Sequence, residues 1–177
     1  MTKQGNNIEF MPIVHIGIWS TIIKDLDTLP LIDRLYKIKS TTPSVVKSNK
    51  GGYQTNPTLD DDPVFYPLVG AILEIYTQIL SYPNVKLDGM WGNISSFGNY
   101  NSTHSHSYEA NKLSGVFYLQ VPENSGEFEY LNPIDKTLAG YHQPRDKELI
   151  IFPSILFHAV APNFSQEDRI SIAFNFS

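Results

Sequence analysis

Two histidines stand one residue apart in the stretch STHSHSYEANKLSGVFYL, which covers residues 102–119. The chain has only five histidines, and His104 and His106 come directly before a segment that is typical of a buried strand. In an extended backbone, alternate residues point to the same side, with α-carbons about 7 Å apart. Both imidazoles can therefore reach one metal ion, at about 2.0–2.1 Å from each ring nitrogen. A polar surface loop is the alternative interpretation, because serine, threonine and asparagine surround the pair.

Two later β-rich segments add a third histidine and an arginine. In FPSILFHAVAP, residues 152–162, His158 shares a face with Leu156 and Val160. The alternation of EDRISIAFNFS predicts an apolar face with Ile170, Ile172, Phe174 and Phe176, and an opposite face with Arg169, Ser171, Ala173 and Asn175. If the two strands are antiparallel neighbours, His158 and Arg169 line one cavity, and Tyr118 in LSGVFYLQV can point into it.

These residue types indicate a particular kind of metal chemistry. Three imidazoles on one side of an ion leave coordination positions open, as in nonheme iron sites that activate dioxygen. A buried arginine needs an anionic partner, and no acidic residue shares the Arg169 face of its strand. The far carboxylate of a dicarboxylate that chelates the metal is such a partner, because guanidinium binds carboxylate in bidentate fashion. A water-exposed arginine at a strand edge is the alternative.

The composition excludes several other classes of function. A length of 177 residues with 41% hydrophobic residues predicts one packed domain. With a net charge of -5 and scattered lysines and arginines, the chain has no basic patch for duplex nucleic acid. It has no cysteine, so disulfides, iron–sulfur clusters and thiolate zinc sites are impossible. We find no signal-peptide pattern and no apolar stretch that could span a bilayer, so we expect a soluble cytoplasmic protein.

The elements that must position these residues fall into two parts. Within residues 1–83 we expect a helical and loop-rich buttress: an extended segment over 8–19, a short helix within 20–39, a long loop and a second helix that ends at Pro83. Residues 84–177 are expected to form the β core of the same single domain. Its predicted strands lie near 85–95, 112–121, 126–131, 147–152, 156–161 and 168–176. Such closely spaced strands favour an antiparallel sandwich or barrel, above all a jelly roll, with the helices on one outer face.

Seven motifs follow one another in a fixed order between residues 48 and 176: SNKGGYQT, MWGN, HSH, LSGVFYLQVPENSG, LIIFPS, FHAVAPN and RISIAFNF. In order and spacing they resemble the iron(II)- and 2-oxoglutarate-dependent oxygenase superfamily, and within it a family of oxygenases known from bacteria and phages. The resemblance implies a mainly β fold with flanking helices around a double-stranded β-helix core of the jelly-roll, cupin-like kind. It also implies Fe(II), 2-oxoglutarate and O2 as cofactors.

Carried over by position, the resemblance assigns His104 and His158 to the metal, and Arg169 with Ser171 to 2-oxoglutarate. Tyr118 is similar to a tyrosine that hydrogen-bonds the same carboxylate in related hydroxylases.

The motifs SNKGGYQT and MWGN supply further expectations. Trp91 and Asn93 in MWGN look like a family motif that leads towards the site, and Asn93 can reach a metal-bound ligand. For Trp91, a place in the core is the commoner interpretation. Tyr53 is expected in the wall of the substrate pocket. His15 and His142 are expected to be packing or solvent residues outside the site.

Position 106 departs from the superfamily pattern. Most members have Asp or Glu where this chain has His106, which leaves an iron site with one more unit of positive charge. We expect His106 to be the third ligand, because it has the strand register of the motif. The alternative is that Glu109 or Glu129 supplies a carboxylate and His106 lies behind it.

The resemblance implies an enzyme, a dioxygenase that couples oxidative decarboxylation of 2-oxoglutarate to C–H oxidation, such as hydroxylation, of an unknown substrate. Two other functions stay open at this point. One is a cupin-type dioxygenase with three histidine ligands that works without 2-oxoglutarate. The other is a jelly-roll binding protein without catalytic activity.

Overall fold

The computed structural model describes residues 16–80, 85–107, 109 and 112–177. His15 and the first part of the predicted extended segment, residues 8–15, lie outside the described residues. The described residues form eleven strands and two α-helices. The strands are β1 Trp19–Ile22, β2 Asn49–Lys50, β3 Tyr53–Gln54, β4 Leu87–Ser95, β5 Tyr100–His104, β6 Leu113–Gln120, β7 Phe128–Leu131, β8 Leu138–His142, β9 Glu148–Pro153, β10 His158–Val160 and β11 Arg169–Phe176, and the helices are α1 Leu29–Thr41 and α2 Tyr66–Leu80.

Two antiparallel sheets face each other in the order expected of a jelly roll. The larger sheet has the strand order β1-β9-β6-β11-β4-β3, and the smaller has the order β2-β5-β10-β7-β8. The predicted fold class is therefore confirmed. Within the described residues, the part expected to be a buttress also supplies β1, β2 and β3, which pair at the edges of both sheets.

The main hydrophobic core lies between the larger sheet and the helices. Phe117, Ile172 and Phe174 are fully buried there against Leu35 of α1 and Ile72 of α2. Helix α1 approaches β4 closely at Gly92, where a β-carbon would collide with the Leu35 side chain. The apolar face of β11 is thus used for packing against the helices, and its other face is turned toward the smaller sheet.

Within residues 84–177, the structure differs from the sequence interpretation in two strands. β5 and β8 were not predicted, because neither alternates clearly between apolar and polar residues. β5 has the polar sequence YNSTH, and β8 exposes its large apolar residues, Leu138 at 60% and Tyr141 at 66%.

The strands that carry His158 and Arg169 are not antiparallel neighbours, which was the condition under which the sequence placed the two residues in one cavity. β10 lies in the smaller sheet beside β5 and β7, whereas β11 lies in the larger sheet between β4 and β6. The two residues share a cavity because the sheets face each other, not because their strands are neighbours. On the side of the smaller sheet, His158 is the register partner of His104.

Candidate active site

A cavity of about 720 Å³ opens between the two sheets. Its volume lies in the upper half of the range usual for small-molecule sites. Both sheets contribute to its wall, and the strand that carries Arg169 faces the strands that carry His104 and His158.

His104, His106 and His158 meet in this cavity. Their ring centroids are 4.2 to 5.2 Å apart, and one ring nitrogen from each lies within 4.8 Å of the others. Among the described residues, this is the one group of three histidine, aspartate or glutamate side chains with the spacing of a metal site. A single ion between the rings needs only a modest inward movement of the imidazoles.

Each imidazole uses its Nδ1 atom for a hydrogen bond to an oxygen that can only accept. Nδ1 of His104 donates to the Ser102 carbonyl at 2.8 Å, and Nδ1 of His158 donates to the Leu156 carbonyl at 2.9 Å. Nδ1 of His106 lies 2.7 Å from the side-chain oxygen of Asn175. Because Nδ1 carries the proton in each ring, Nε2 keeps its lone pair for a metal.

The environment keeps all three imidazoles neutral. Burial lowers the pKa of His104 and lowers the pKa of His106 to about 4. Burial also holds the pKa of His158 well below its usual value, and the neighbouring histidines act in the same direction. Neutral imidazoles are the form that binds metal, so the donor set fits a divalent ion.

The ring of His106 is also held by aromatic contacts. The indole of Trp91 stacks on it, with ring centroids 5.6 Å apart and an interplanar angle of 28°. Trp91 is half-buried and lines the cavity, so of its two interpretations the place near the site is right and the place in the core is wrong. Its neighbour Gly92 faces the helices instead, because successive residues of β4 point to opposite sides of the sheet.

Arg169 is 3% exposed, and its guanidinium lines the opposite side of the cavity. Its Nη1 donates to the main-chain carbonyls of Ser125, of Gly126 at 3.4 Å and of Ala161 at 3.2 Å. Gly126 has a φ of +91°, and a β-carbon there would lie 2.8 Å from that Nη1.

No ion pair joins Arg169 to a carboxylate of the described residues. Burial lowers the pKa of Arg169, but an arginine keeps its proton in proteins. Glu127 acts on Arg169 electrostatically, but no carboxylate of the described residues lies within ion-pair distance of the guanidinium. The cavity therefore contains a buried, fixed cation that makes no direct ion pair with the protein.

Ser171 has two polar neighbours on the cavity face of the larger sheet. Ser171 is the register partner of Asn93 on β4 and of Tyr118 on β6, and all three line the cavity. Burial raises the pKa of Tyr118, so its phenol stays protonated and able to donate a hydrogen bond. With Arg169, these groups form a polar patch suited to a carboxylate.

Comparisons with known proteins agree with this geometry. The model of the family described as "Putative 2OG-Fe(II) oxygenase" matches residues 128–175, which include His158, Arg169 and Ser171. The resemblance predicted from the sequence is confirmed over these residues. No curated protein sequence matches the chain.

Solved structures of such oxygenases share the fold. The non-heme alpha ketoglutarate dependent epimerase SnoN from nogalamycin biosynthesis has a TM-score of 0.75 at 12% identity, over 92% of this chain and 78% of SnoN. A Pseudomonas putida prolyl-4-hydroxylase has a TM-score of 0.64 at 15% identity, over 91% of this chain and 92% of that one. HygX from Streptomyces hygroscopicus, with nickel and 2-oxoglutarate bound, has a TM-score of 0.67 at 13% identity, over 92% of this chain and 83% of HygX.

The structure places Tyr53 outside the cavity between the sheets, contrary to its predicted place in the substrate pocket. Its ring is 8% exposed in the core beneath the larger sheet, and its hydroxyl donates to the Thr42 carbonyl at 3.2 Å. The next residue, Gln54, lines the cavity instead. A change of one residue along a strand reverses the face, which is the physical reason for the correction.

Neither alternative carboxylate lies among the described residues that line the cavity. The Glu109 side chain is 63% exposed and lies 3.7 Å from the ammonium of Lys112. On β7, Glu129 follows Phe128. Phe128 lines the cavity, and Glu129 does not. His142 lies outside the cavity, as expected, with Nε2 3.1 Å from the carboxylate of Glu148.

Few of the described lining residues are charged, since the three imidazoles are neutral. Arg169 and Lys47 are the charged side chains among them, and none of the described lining residues is an aspartate or glutamate. Sequence reasoning missed Lys47 and Gln54, which come from short edge strands and the loop before them. The alternation of β11 placed Asn175 on the same face as Arg169, but the sequence interpretation gave Asn175 no role. Its place on that face was the signal that could have identified it.

Proposed function

We propose that this protein is an iron(II)- and 2-oxoglutarate-dependent oxygenase that oxidises a C–H bond of a small substrate, as a hydroxylase does. The observation that carries the proposal is the convergence of one ring nitrogen from each of three histidines in a cavity whose other side holds a buried arginine that makes no ion pair with the described residues. The first group of residues fits a divalent metal, and the second fits the free carboxylate of a co-substrate that chelates this metal.

In this proposal His104, His106 and His158 hold the iron on one side. Bound iron, 2-oxoglutarate and O2 supply the oxidation of a C–H bond, coupled to oxidative decarboxylation of 2-oxoglutarate to succinate and CO2. Three Nδ1–H donors, all with carbonyl or amide oxygens as acceptors, keep the rings from rotating and leave Nε2 unprotonated. Since no carboxylate joins them, the iron keeps its full double charge, which favours a dianion as co-substrate.

Arg169, Ser171, Tyr118 and Asn93 are proposed to bind 2-oxoglutarate. Because main-chain carbonyls occupy Nη1 of Arg169, Nε and Nη2 are the planar pair of donors that matches a carboxylate. Ser171 and Tyr118 add hydroxyl donors beside it. The carbonyls that hold Nη1 of Arg169 fix the guanidinium before the co-substrate arrives, which reduces the entropy lost on binding. The remaining cavity, bordered by Trp91 and Gln54, is proposed for the primary substrate.

An anaerobic titration with Fe(II) and 2-oxoglutarate tests the metal and co-substrate sites together. We expect the visible charge-transfer band of the iron–2-oxoglutarate chelate in the native protein. His106→Ala should bind Fe(II) much more weakly, because it removes a ligand. His142→Ala is the matched control, since it removes a histidine outside the cavity and should leave Fe(II) binding unchanged.

A second function is favoured by one observation, the absence of any carboxylate near the three histidines among the described lining residues. Cupin-type dioxygenases with three histidine ligands bind the substrate itself to iron. Tight Fe(II) binding without the chelate band, and turnover independent of added 2-oxoglutarate, would support this function. Failure of the protein to bind Fe(II) under reducing, anaerobic conditions would instead favour a binding protein without catalytic activity.

A further inference from the structure

His106 is held differently from the other two histidines. His104 and His158 each donate to the main-chain carbonyl two residues earlier, Ser102 and Leu156, so the local strand geometry orients them. His106 follows the end of β5, and its ring is oriented by the Asn175 side chain from β11 in the facing sheet. The orientation of His106 therefore depends on a side chain, and that side chain can be changed.

Asn175 belongs to a short chain of hydrogen bonds that crosses three strands. Its side-chain oxygen accepts from Nδ1 of His106 at 2.7 Å and from the Ser114 hydroxyl at 2.8 Å. The hydroxyls of Ser114 and Ser154 are 2.7 Å apart. Ser114 is 0% exposed and Ser154 is 2% exposed. Buried hydroxyls are costly unless they are hydrogen-bonded, so these serines are explained by the network they form.

The same network holds the backbone of His106. The Ser154 carbonyl accepts from the main-chain nitrogen of His106 at 2.9 Å and from that of Ser107 at 3.2 Å. One end of the network thus fixes the position of the His106 α-carbon, and the other end fixes the rotation and tautomer of its ring. The indole of Trp91 stacks on this ring and restricts the remaining tilt.

We propose that Asn175, supported by Ser114, is a positioning residue that locks His106 in the Nδ1–H tautomer and directs its Nε2 into the cavity. The tautomer of His106 does not depend on the proposed function, whereas the effect of that tautomer on metal binding rests on it. Asn175 is suited to this task because its oxygen accepts from two donors at once and it adds no charge beside a ligand.

The tautomer can be measured in the metal-free protein. With 15N-labelled histidine, two-bond proton–nitrogen correlations distinguish Nδ1–H from Nε2–H for each ring. We expect His106 of the native protein to be the Nδ1–H tautomer, and we expect Asn175→Leu to lose this preference because leucine has no acceptor. An Nε2–H tautomer or an imidazolium at His106 in the native protein at neutral pH would overturn the proposal without any variant.

Metal affinity provides the second readout. Cobalt(II) serves as the probe, measured by anaerobic calorimetry and by its visible ligand-field bands. We expect Asn175→Leu to weaken cobalt binding about 10- to 100-fold, the usual loss for an outer hydrogen-bond partner of a ligand. Asn175→Asp keeps an oxygen acceptor at the same place and should restore both tautomer and affinity. Ser114→Ala removes one donor to the Asn175 oxygen but leaves the bond to His106, so it should change affinity much less.

The outcomes separate this inference from the proposed function. If the native protein binds no cobalt or iron, the proposed function fails, while the tautomer of His106 still decides the role of Asn175. If Asn175→Leu folds, keeps the Nδ1–H tautomer and binds cobalt as tightly as the native protein, Asn175 has no positioning role. Should Asn175→Leu not fold, Asn175→Asp and the native tautomer remain decisive.

Discussion

Replacing Arg169 by methionine should abolish 2-oxoglutarate binding and leave iron binding intact. Arg169 is the buried cation of the cavity, and its Nη1 is already engaged with the Ser125, Gly126 and Ala161 carbonyls. Methionine has a similar aliphatic length but no donor. The Arg169→Met variant therefore removes the bidentate interaction with a carboxylate without opening a large cavity.

The magnitude follows from the number of charged hydrogen bonds that are lost. A hydrogen bond to a charged group contributes about 1.5–3 kcal/mol, and a bidentate contact contains two of them. We therefore expect a loss of about 3–6 kcal/mol, or about two to four powers of ten in the dissociation constant of 2-oxoglutarate. Arg169→Lys keeps the charge but not the planar pair of donors, so its loss should be smaller.

The assay is anaerobic titration of the iron-loaded protein with 2-oxoglutarate, followed by the chelate band. Since methionine leaves carbonyls that accepted from Nη1 without a donor, the folded fraction of Arg169→Met must be checked by circular dichroism at the assay temperature. Iron affinity close to native shows that the histidines are still in place. The reasoning is refuted if folded, iron-loaded Arg169→Met binds 2-oxoglutarate within about threefold of the native affinity.

Three other changes test separate parts of the structure. Gly126→Ala places a β-carbon against Nη1 of Arg169 at positive φ, so thermal melts should show a loss of about 1–3 kcal/mol and 2-oxoglutarate titrations a weaker affinity. Lys47→Glu at the cavity wall should slow 2-oxoglutarate association about tenfold in low-salt stopped-flow but little in high salt, because Lys47 attracts the dianion electrostatically. Lys50→Glu, outside the lining, is the control. If both variants slow association equally, the attraction does not depend on the position of Lys47. Burial raises the pKa of Glu148, but hydrogen bonds from its neighbours outweigh this and hold the pKa below its usual 4.5. The contribution of Glu148 to the free energy of unfolding should be fully present above pH 4.5 and should be lost as the pH falls through the lower pKa that Glu148 has in the folded protein. Calorimetry should show this loss in the native protein and not in Glu148→Gln.

The cavity face of β11 could be predicted because its alternation is long and unambiguous. Eight consecutive residues alternate between apolar and polar or small, so the side of Arg169 follows from the position of Phe174. The pairing of His104 with His106 was accessible for a similar reason, because a spacing of two on an extended chain is a local property. Such patterns depend on only one strand, so no tertiary information is needed.

The misplaced residues depend on tertiary contacts that one strand does not reveal. β3 has only two residues, so nothing in its sequence distinguishes the core side of Tyr53 from the cavity side of Gln54. His158 and Arg169 come together across the space between two sheets, and this distance is set by packing and not by strand order. Trp91 is large and apolar, and only its neighbours in space reveal that it packs on His106 and not in the core.

The lack of a carboxylate in the metal site predicts that metal and co-substrate bind cooperatively. His104, His106 and His158 are neutral, and the described cavity lining has no acidic residue, so a bound dication has no protein charge to compensate it. 2-Oxoglutarate supplies that charge, and each ligand must then raise the affinity of the other by the same factor, typically about 5- to 150-fold. Fe(II) affinity measured with and without 2-oxoglutarate gives this factor. His106→Asp returns one negative charge to the site, so it should bind Fe(II) more tightly alone and show a smaller factor. Two results would mean that the charge of the site does not govern binding. One is an Fe(II) affinity that is the same with and without 2-oxoglutarate, and the other is a coupling factor that is the same in the native protein and in His106→Asp.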